Sequence, residues 1–294
     1  MKIETVAVIA PGEMGHAVGQ RLIEGGLSVV TCLEGRSERS RSLAEKAGIP
    51  DLGRDRAMLE AADIVLSILP PSSAVDFASR MAETARDMDA PPPLADLNAI
   101  SPGTAREAER IVAEAGMGFV DGGIVGGPPF PGRRSPRIYV SGDLGEDLGA
   151  LTEAGLNIKP LTGGVGAASA IKLSYACLTK GLSALTVQAM AISNANGTGE
   201  AFFEELRFSQ AELLAWLENM VPAMPPKAYR WIGEMEEISK AIGEAGLPPT
   251  MFEGTARLHE RIEATRLAQE TPETRDKDRS LQLIGQLLSE DLAS

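Results

Sequence analysis

The stretch from Thr5 to Leu22 reads Thr-Val-Ala-Val-Ile-Ala-Pro-Gly-Glu-Met-Gly-His-Ala-Val-Gly-Gln-Arg-Leu. Its first five residues are apolar or β-forming, which suits a strand buried on both faces, and a loop of small residues then opens a helix. Such a junction binds a diphosphate, because backbone N–H groups and the positive end of the helix dipole point at the anion. The spacing is that of Gly-x-Gly-x-x-Gly, with Ala10 in the first place, followed by Gly12 and Gly15. The alternative is a glycine turn in another kind of α/β protein.

Composition sets the class of protein and excludes some partners. The chain has 294 residues, of which 44% are hydrophobic and 23% are charged. This is the composition of an ordinary globular protein of one large or two ordinary domains. The formal net charge of −13 argues against a nucleic-acid or anionic-membrane surface, since both require a basic footprint. An anionic ligand would therefore need locally placed basic residues.

The sequence carries no membrane or metal signal. No apolar run reaches the roughly 18–20 residues that span a bilayer, and no charged-then-apolar leader is recognised, so we expect a cytoplasmic protein without a membrane partner. Cys32 and Cys177 lack the spacing of metal ligands, and His16 and His259 are the only histidines. We therefore expect no metal site.

The first half of the chain alternates strand and helix patterns. Apolar segments predict strands at 5–9, 27–33, 64–69, 94–97, 118–120 and 137–141, with helices in most of the intervals. This alternation is typical of a Rossmann-type, doubly wound and mostly parallel sheet. Ligands of such sheets bind beyond the carboxyl ends of the strands. The loops at Ala10 to Gly15, Arg36, Leu69-Pro70 and Asn98 lie at those ends.

The second half reads as helices. Strand patterns stop near Gly163-Gly164, so we place the domain boundary there and expect an α/β domain at 1–163 and an all-α domain at 164–294. The two are joined through one long helix at 167–195, which is apolar almost all the way round. Such a helix is buried between domains or subunits, and we expect a homodimer. Further helices are predicted at about 200–220, 227–245, 251–269 and 278–292.

The loop after the second predicted strand indicates the cofactor. An acidic side chain at this position accepts from the 2′-hydroxyl of NAD, whereas arginines and hydroxyls accommodate the 2′-phosphate of NADP. Glu34 stands just before a turn that holds Arg36, Ser37 and Arg39. The basic and hydroxyl residues favour NADP, with NAD as the less favoured cofactor. The alternative is that these residues form only the solvated start of the next helix.

A polar stripe runs along the long apolar helix. Lys172, Tyr175, Thr179 and Ser183 are separated by three, four and four residues, so they share one face. A lysine within an apolar helix needs a partner or a wet cleft, and one beside a substrate is suited to proton transfer. The structural alternative is that Lys172 reaches the surface or pairs with a carboxylate.

Several of these segments together resemble a family. Gly12-Glu-Met-Gly15, Ile68-Leu69-Pro70, Asp96-Leu-Asn-Ala-Ile-Ser-Pro102, Val120-Asp-Gly-Gly-Ile-Val-Gly-Gly127 and Gly164-Val-Gly-Ala-Ala-Ser-Ala-Ile-Lys172 stand in the order and spacing of the β-hydroxyacid dehydrogenases related to 6-phosphogluconate dehydrogenase. The resemblance covers nearly the whole chain. The last third looks like a C-terminal domain carried by a poorly characterised branch of that family.

The resemblance implies roles for particular residues. Lys172 corresponds to the proton-transfer group beside the substrate hydroxyl and nicotinamide, and Tyr175 is a second catalytic candidate. The predicted cofactor-binding residues are Ala10, Pro11, Gly12, Glu13, Met14, Gly15, Arg36, Ser37, Arg39, Leu69, Pro70 and Asn98. The predicted substrate-binding residues are Gly122, Gly123, Gly126, Gly127, Thr179 and Glu234. Arg133, Arg134 and Lys180 are lesser candidates, for which a solvated loop or a helix surface is the favoured interpretation.

The sequence also departs from the family pattern. Val125 replaces the usual serine of the substrate loop, Tyr175 and Ala176 stand where an asparagine is common, and the usual Lys-Asp pair of a later helix falls at Gly233-Glu234. We therefore expect an NADP-dependent oxidoreductase acting on a small hydroxy acid or related alcohol, without a defined substrate. An NADPH-dependent imine reductase and a non-catalytic NADP-binding sensor remain the alternatives.

Overall fold

The computed structural model describes residues 2–130, 134–145, 148–271 and 274–293. The chain divides into two compact units, Met1–Tyr175 and Ala176–Ser294. This division falls inside one continuous helix, Ala167–Ala195, whose bounds agree with the predicted long helix. The predicted domain boundary at residues 163 and 164 lies shortly before that helix and stays a prediction.

The first unit is built on a single sheet with helices between its strands. The strands are β1 (Thr5–Ile9), β2 (Ser28–Val30), β3 (Ile64–Ser67), β4 (Leu94–Asp96), β5 (Phe119–Val125), β6 (Arg137–Ser141) and β7 (Asn157–Pro160). The helices are α1 (Gly15–Glu24), α2 (Glu38–Ala47), α3 (Asp55–Ala61), α4 (Ala74–Ala85), α5 (Pro102–Ala113), α6 (Gly149–Glu153) and the start of α7 (Ala167–Ala195), with one 3₁₀ turn at Pro71–Ser73.

The sheet is doubly wound and mostly parallel, as predicted. Its strand order is β2-β1-β3-β4-β5-β6-β7, and every neighbouring pair is parallel except β5 and β6. Strand β1 lies between β2 and β3 and is buried on both faces: Val6 and Val8 pack into one apolar cluster, and Ala7 and Ile9 pack into another. The uninterrupted apolar run therefore reflects helices that cover both sides of the sheet.

The second unit is helical wherever it is described. After the rest of α7 come α8 (Gly199–Ser209), α9 (Ala211–Met220), α10 (Ala228–Glu244), α11 (Thr250–Glu263) and α12 (Leu281–Ala293), with 3₁₀ turns at Val221–Ala223, Pro225–Lys227 and Arg266–Gln269. Its own apolar core includes Val187, Trp231 and Leu288. In the described ranges, no helix is both long and apolar enough to cross a membrane.

Strand β5 is longer than predicted. The sequence pattern ended it at Val120, because Gly122 and Gly123 are ordinarily turn residues. In the structure both glycines continue the strand and pair with Val140 and Tyr139 of β6. Glycines inside a strand mark places where other groups approach closely. A Cβ on Gly122 would lie 2.3 Å from Leu97 Cδ2.

Other elements differ from the sequence prediction for identifiable reasons. Strand β7 was missed because it is short and ends in Pro160, which an edge strand tolerates. Helix α3, at seven residues, lies in a segment for which no element was predicted. The predicted helix at 200–220 is two helices, since Gln210 leaves helical geometry at φ −139° and ψ 41° without any glycine or proline signal. The predicted helix at 251–269 ends at Glu263.

Candidate active site

The loop between β1 and α1 has the geometry that the glycine pattern requires. A Cβ on Gly15 would lie 2.0 Å from the carbonyl oxygen of Ala10, so only glycine lets the helix start this close to the strand. A Cβ on Gly12 would meet nothing within 4 Å. The protein itself therefore has room for a side chain at position 12. A glycine at this position is consistent with a ligand that approaches the backbone closely.

The N-terminus of α1 has no capping side chain. Met14 occupies the cap position and its side chain forms no capping hydrogen bond. Pro11 is buried and Glu13 is half-buried. His16 is 5% exposed, and its Nδ1 donates to the Gly12 carbonyl at 2.6 Å. This confirms the interpretation of His16 as part of the helix start, and it leaves the uncapped helix end suited to an anion.

Asn98 holds the loops that follow β3 and β4. It is 2% exposed, and its Nδ2 donates to Ser67 Oγ at 2.8 Å and to Asp96 Oδ2 at 2.9 Å. Its Oδ1 accepts from the backbone N–H of Leu69. Leu69 is half-buried and Pro70 is exposed. The amide thus fixes the carboxyl ends of two adjacent parallel strands, where the predicted cofactor contacts of Leu69 and Pro70 begin.

The loop after β2 presents a half-buried arginine. Gly35 has φ +68°, and the backbone N–H of Arg36 bonds back to the carbonyl of Leu33 at 3.0 Å. Burial lowers the pKa of the Arg36 guanidinium, and the positive charge of Arg80 lowers it further. Ser37 caps the N-terminus of α2, since its Oγ accepts a hydrogen bond from the Ser40 N–H. Arg39 is exposed. Within the described ranges, the Arg36 side chain has neither a hydrogen bond nor an ion pair.

Lys172 lies against the extended end of β5. A Cβ on Gly123 would be 2.6 Å from Lys172 Cβ and 3.0 Å from the carbonyl oxygen of Ala168. The missing side chain at Gly123 therefore lets α7 pack directly on the strand backbone. Lys172 is half-buried. Lys172, the predicted catalytic residue, is therefore held beside β5. This strand continues to Val125, four residues past Asp121, which pairs with the last residue of β4.

Asp121 anchors the N-terminus of α7, a role that sequence reasoning missed. The carboxylate is 1% exposed. Its Oδ2 accepts from the backbone N–H groups of Gly166, Ala168 and Ser169 at 2.8, 2.9 and 3.2 Å and from Ser141 Oγ at 2.8 Å. Its Oδ1 accepts from Ser169 Oγ at 2.6 Å. Because Lys172 follows Ala168 by one helical turn, Asp121 fixes the lysine relative to the sheet.

The polar stripe on α7 is not uniform. Tyr175 is 53% exposed, whereas Ser183 is fully buried and its Oγ donates to the Thr179 carbonyl at 3.1 Å. Thr179 is half-buried. Lys172 and Tyr175 belong to the first compact unit, and Thr179 belongs to the second. The common face predicted from the spacing thus holds side chains in different environments.

Glu234 lies in a buried polar cluster of the second unit. Its carboxylate pairs with Lys180, and the two side chains are only 9% and 12% exposed. Lys180 Nζ also lies 4.4 Å from the centroid of the Trp231 ring, whose neighbour is the fully buried His259 ring at 5.6 Å. The interpretation of Lys180 as a helix-surface residue is therefore wrong. The clue in the sequence was a second lysine within the apolar helix.

The remaining candidates are spread along the loop after β5. Gly126 has φ +127°, a conformation that favours glycine, while Gly127 is exposed with open space around it. Arg134 is exposed. Arg133 lies outside the described residues. Within the part of the chain that the structure describes, no group of three or more His, Cys, Asp or Glu residues could hold a metal ion.

Comparison with known families agrees with this geometry. Residues 5–143 match the NAD binding domain of 6-phosphogluconate dehydrogenase. The first unit thus contains an NAD-binding domain of this type, and the chain is similar to the NAD(P)-dependent oxidoreductases of the β-hydroxyacid dehydrogenase type. Residues 194–262 match a domain family of unknown function. This second match places a domain of unknown function in the helical second unit.

Two proteins are similar to this chain over most of its length. An uncharacterised 28.5 kDa protein of Methanothermus fervidus is 26% identical over 259 residues, covering 88% of this chain and 98% of that protein. A solved conserved protein of unknown function, described as structurally similar to 3-hydroxyacid dehydrogenases, is 28% identical with a TM-score of 0.64. That match covers 91% of this chain and all of the solved chain.

More distant solved structures share the fold. The 3-hydroxyisobutyrate dehydrogenase of Mycobacterium tuberculosis, solved with L-serine, has a TM-score of 0.69 at 17% identity, over 92% of this chain and 97% of that one. An imine reductase variant from Myxococcus stipitatus, solved with NAD⁺, has a TM-score of 0.57 at 20% identity, over 98% and 100% of the two chains. The fold is therefore one that hydroxyacid dehydrogenases and imine reductases both use.

Proposed function

We propose that this protein is an NADP-dependent oxidoreductase that interconverts a small hydroxy acid, or a related alcohol, and its carbonyl form, with Lys172 as the proton-transfer group. The observation that carries the proposal is the fixed placement of Lys172. Helix α7 begins on the Asp121 carboxylate and packs on Gly123, within the same compact unit as the glycine loop. A lysine held this firmly beside the sheet is suited to act on a bound substrate.

The residues of the first unit fit a dinucleotide. Gly12, Gly15 and the uncapped end of α1 would hold the diphosphate, with Ala10, Pro11, Glu13 and Met14 forming the surrounding loop. Leu69 and Pro70 would flank the cofactor on the loop that Asn98 fixes. When bound, the nicotinamide supplies or accepts the hydride.

The preference for NADP is supported by charge. Arg36 is a half-buried cation without an ion-pair partner in the described chain, and Ser37 and Arg39 follow it directly. A 2′-phosphate would form charged hydrogen bonds with this guanidinium, whereas the 2′-hydroxyl of NAD would offer only a neutral partner. Glu34, which could serve NAD, is exposed one residue before the Gly35 turn.

The substrate's reacting oxygen would lie within reach of Lys172 Nζ. During oxidation the amine form takes the hydroxyl proton as the hydride leaves carbon, and during reduction the ammonium form returns that proton to the carbonyl oxygen. Tyr175, one turn further along α7, would orient the substrate. Gly122, Gly123, Gly126, Gly127, Thr179 and Glu234 remain proposed substrate-binding positions. Since Gly122 and Gly123 lie in β5, their contribution would be to shape the site rather than to offer loop donors.

The test separates cofactor binding from turnover. NADPH and NADH are titrated into the purified protein by fluorescence in one buffer, followed by a turnover screen over hydroxy acids, their keto forms and imines. Lys172→Met should abolish turnover and leave the NADPH dissociation constant nearly unchanged. Retained turnover would refute the role of Lys172. Binding without turnover on any substrate would favour the non-catalytic NADP-binding sensor.

An imine reductase is the second candidate. Solved imine reductases share this fold, and Tyr175 offers an exposed phenol one turn from Lys172. Lys172 itself favours carbonyl–alcohol chemistry, because the imine reductases that resemble this family generally carry another residue there. Turnover of cyclic imines that survives Lys172→Met but not Tyr175→Phe would favour the imine reductase.

We also propose that the protein forms a homodimer through α7. Leu178, Leu185 and Ile192 are large apolar residues that are 64%, 47% and 68% exposed. With Leu182 and Ala189 they repeat at alternating spacings of three and four residues, the pattern of a helix seam that packs on a second helix. A second copy presents the same seam and would cover it by two-fold symmetry.

Sedimentation analysis tests the dimer directly. A dimer at micromolar concentration is expected for the unmodified protein, and a monomer would contradict the proposal. The cytoplasmic location expected from the sequence stays a prediction.

A further inference from the structure

A second arginine stands at the carboxyl end of β2, on a helix that the cofactor motif does not include. Arg80 of α4 pairs with Asp55 of α3, its Nε lying 3.0 Å from Asp55 Oδ2. Its guanidinium carbon lies 5.3 Å from the centroid of the Phe77 ring, which is 3% exposed. The Arg80 side chain itself is 48% exposed. It is therefore held from one side and open to solvent on the other.

Arg80 and Arg36 converge on the same strand end. Asp55, the partner of Arg80, follows a segment that is bonded to the chain at the end of β2: the Leu52 N–H donates to the Thr31 carbonyl at 2.9 Å, and the Leu33 N–H donates to Asp51 Oδ1 at 3.0 Å. Arg36 belongs to the same strand end, since its backbone N–H donates to the Leu33 carbonyl at 3.0 Å, and burial and the positive charge of Arg80 lower the pKa of its guanidinium while Asp55 raises it. One helix and one loop thus bring two arginines together around a single carboxylate.

This arrangement leaves a local positive charge. Two guanidinium groups and one carboxylate carry a net charge of +1, in a chain whose overall charge is −13. The Asp55 carboxylate is 17% exposed and engages Arg80 through Nε. The terminal amino groups of an arginine held in this way keep the planar edge that forms bidentate contacts with phosphate oxygens. Like charges brought together at a strand end are a configuration that an anion stabilises.

We propose that Arg80 is a second cofactor-specificity residue, which binds the 2′-phosphate of NADP(H) together with Arg36. The inference rests on the proposed NADP preference and extends it to α4. Asp55 and Phe77 hold the Arg80 guanidinium in place before the phosphate arrives, so little side-chain order has to be gained on binding. The nicotinamide and diphosphate contacts do not involve Arg80, so NADH binding is independent of it.

The experiment compares dissociation constants for NADPH and NADH, measured by calorimetry, across matched variants. Arg80→Met keeps an unbranched apolar side chain over Phe77 and removes the charge. It should weaken NADPH binding by about ten- to a hundredfold, the range for one hydrogen-bonded charge, and leave NADH binding within about twofold. Arg86→Met is the matched control: Arg86 is exposed at the end of the same helix, and its side chain has no hydrogen bond or ion pair with any described residue. It should change neither constant.

Asp55→Asn tests whether Arg80 acts directly. It removes the negative charge that competes for Arg80, while the amide oxygen can still accept from Arg80 Nε and hold the guanidinium, so NADPH binding should be kept or strengthened. Equal losses of NADPH affinity in Arg80→Met and Asp55→Asn would show that the ion pair only shapes the loop, and would overturn the inference. An NADPH preference that depends on Arg36 but not on Arg80 would overturn it as well, and leave the NADP proposal intact. An unmodified protein that does not prefer NADPH would refute both.

Discussion

Replacing Asp121 with asparagine tests whether this carboxylate holds α7, and with it Lys172, on the sheet. Four donors reach its Oδ2: the backbone N–H groups of Gly166, Ala168 and Ser169, and Ser141 Oγ. An asparagine that places its amide oxygen at the Oδ2 position keeps these bonds as neutral ones. Its NH₂ group then faces Ser169 Oγ, which can accept instead of donating. The change therefore removes charge and leaves the shape of the side chain nearly constant.

The expected loss follows from the difference between charged and neutral hydrogen bonds. A bond to a charged group contributes about 1.5–3 kcal/mol and a neutral one about 0.5–1.5 kcal/mol, a difference of about 1 kcal/mol for each of the four donors. Loss of the anion at the helix N-terminus adds about 0.5–1 kcal/mol. Because the bonds share one acceptor and are not additive, we expect Asp121→Asn to lower the free energy of unfolding by about 2–4 kcal/mol.

Urea titrations followed by far-ultraviolet circular dichroism measure this loss. Asp76→Asn is the matched control, since Asp76 likewise places a carboxylate at a helix N-terminus, in the first turn of α4, but is exposed. We expect it to cost less than about 1 kcal/mol. With a substrate from the turnover screen, Asp121→Asn should also lower kcat with little effect on NADPH binding. A loss of stability no larger than that of Asp76→Asn would refute the anchoring role.

Two further predictions concern the glycine loop and His259. Gly12→Ala should leave the free energy of unfolding within about 0.5 kcal/mol and abolish tight NADPH binding, whereas Gly15→Ala, whose Cβ would lie 2.0 Å from the Ala10 carbonyl oxygen, should cost about 3 kcal/mol or more. Unfolding and NADPH titrations distinguish the two, and equal losses of stability would contradict the ligand-approach role of Gly12. Burial lowers the pKa of His259 below its ordinary value of 6.5. As the pH falls through 6.5, the unfolded chain therefore binds more protons than the folded chain. The free energy of unfolding should be highest above about pH 6.5 and decline below it. Unfolding titrations between pH 5 and 7 should show this slope reduced in His259→Gln, and an unchanged slope would assign it to other groups.

The sequence predicted the elements that have a strong pattern of their own. The bounds of β1 agree with the structure because helices cover both faces of the sheet and require an uninterrupted apolar run, and the bounds of α7 agree because its long, mostly apolar segment has no proline to break it. Features at the edge of the sheet, or without a local sequence signal, were not predicted. Strand β7 has only one buried residue, Ile158, since it lies at the edge of the sheet. The break at Gln210 has no local signal at all.

The site was predictable where a local pattern encodes it. The glycine spacing depends on contacts within six residues, such as that between Gly15 and Ala10, and the structure reproduces it. Asp121 and Arg80 were missed because their roles depend on partners elsewhere. The donors to Asp121 lie 20 to 48 residues away, and Arg80 meets Arg36 only when α4 packs beside the end of β2. Gly122 and Gly123 were predicted to lie outside β5. The sequence does not distinguish a glycine that is required by the close approach of a neighbouring residue from a glycine that is required by a turn.

Lys172 and Lys180 illustrate the same limit in one helix. Both interrupt the apolar sequence of α7. From the sequence, Lys172 was predicted to be catalytic and Lys180 to lie on the helix surface. The structure buries Lys180 against the Trp231 ring and pairs it with Glu234, 54 residues away. A buried pair of this kind costs desolvation of both charges, and removing either partner would leave the other charge buried and uncompensated. Lys180 therefore fixes how α10 packs on α7 within the second unit, a specificity that an apolar pair would not impose.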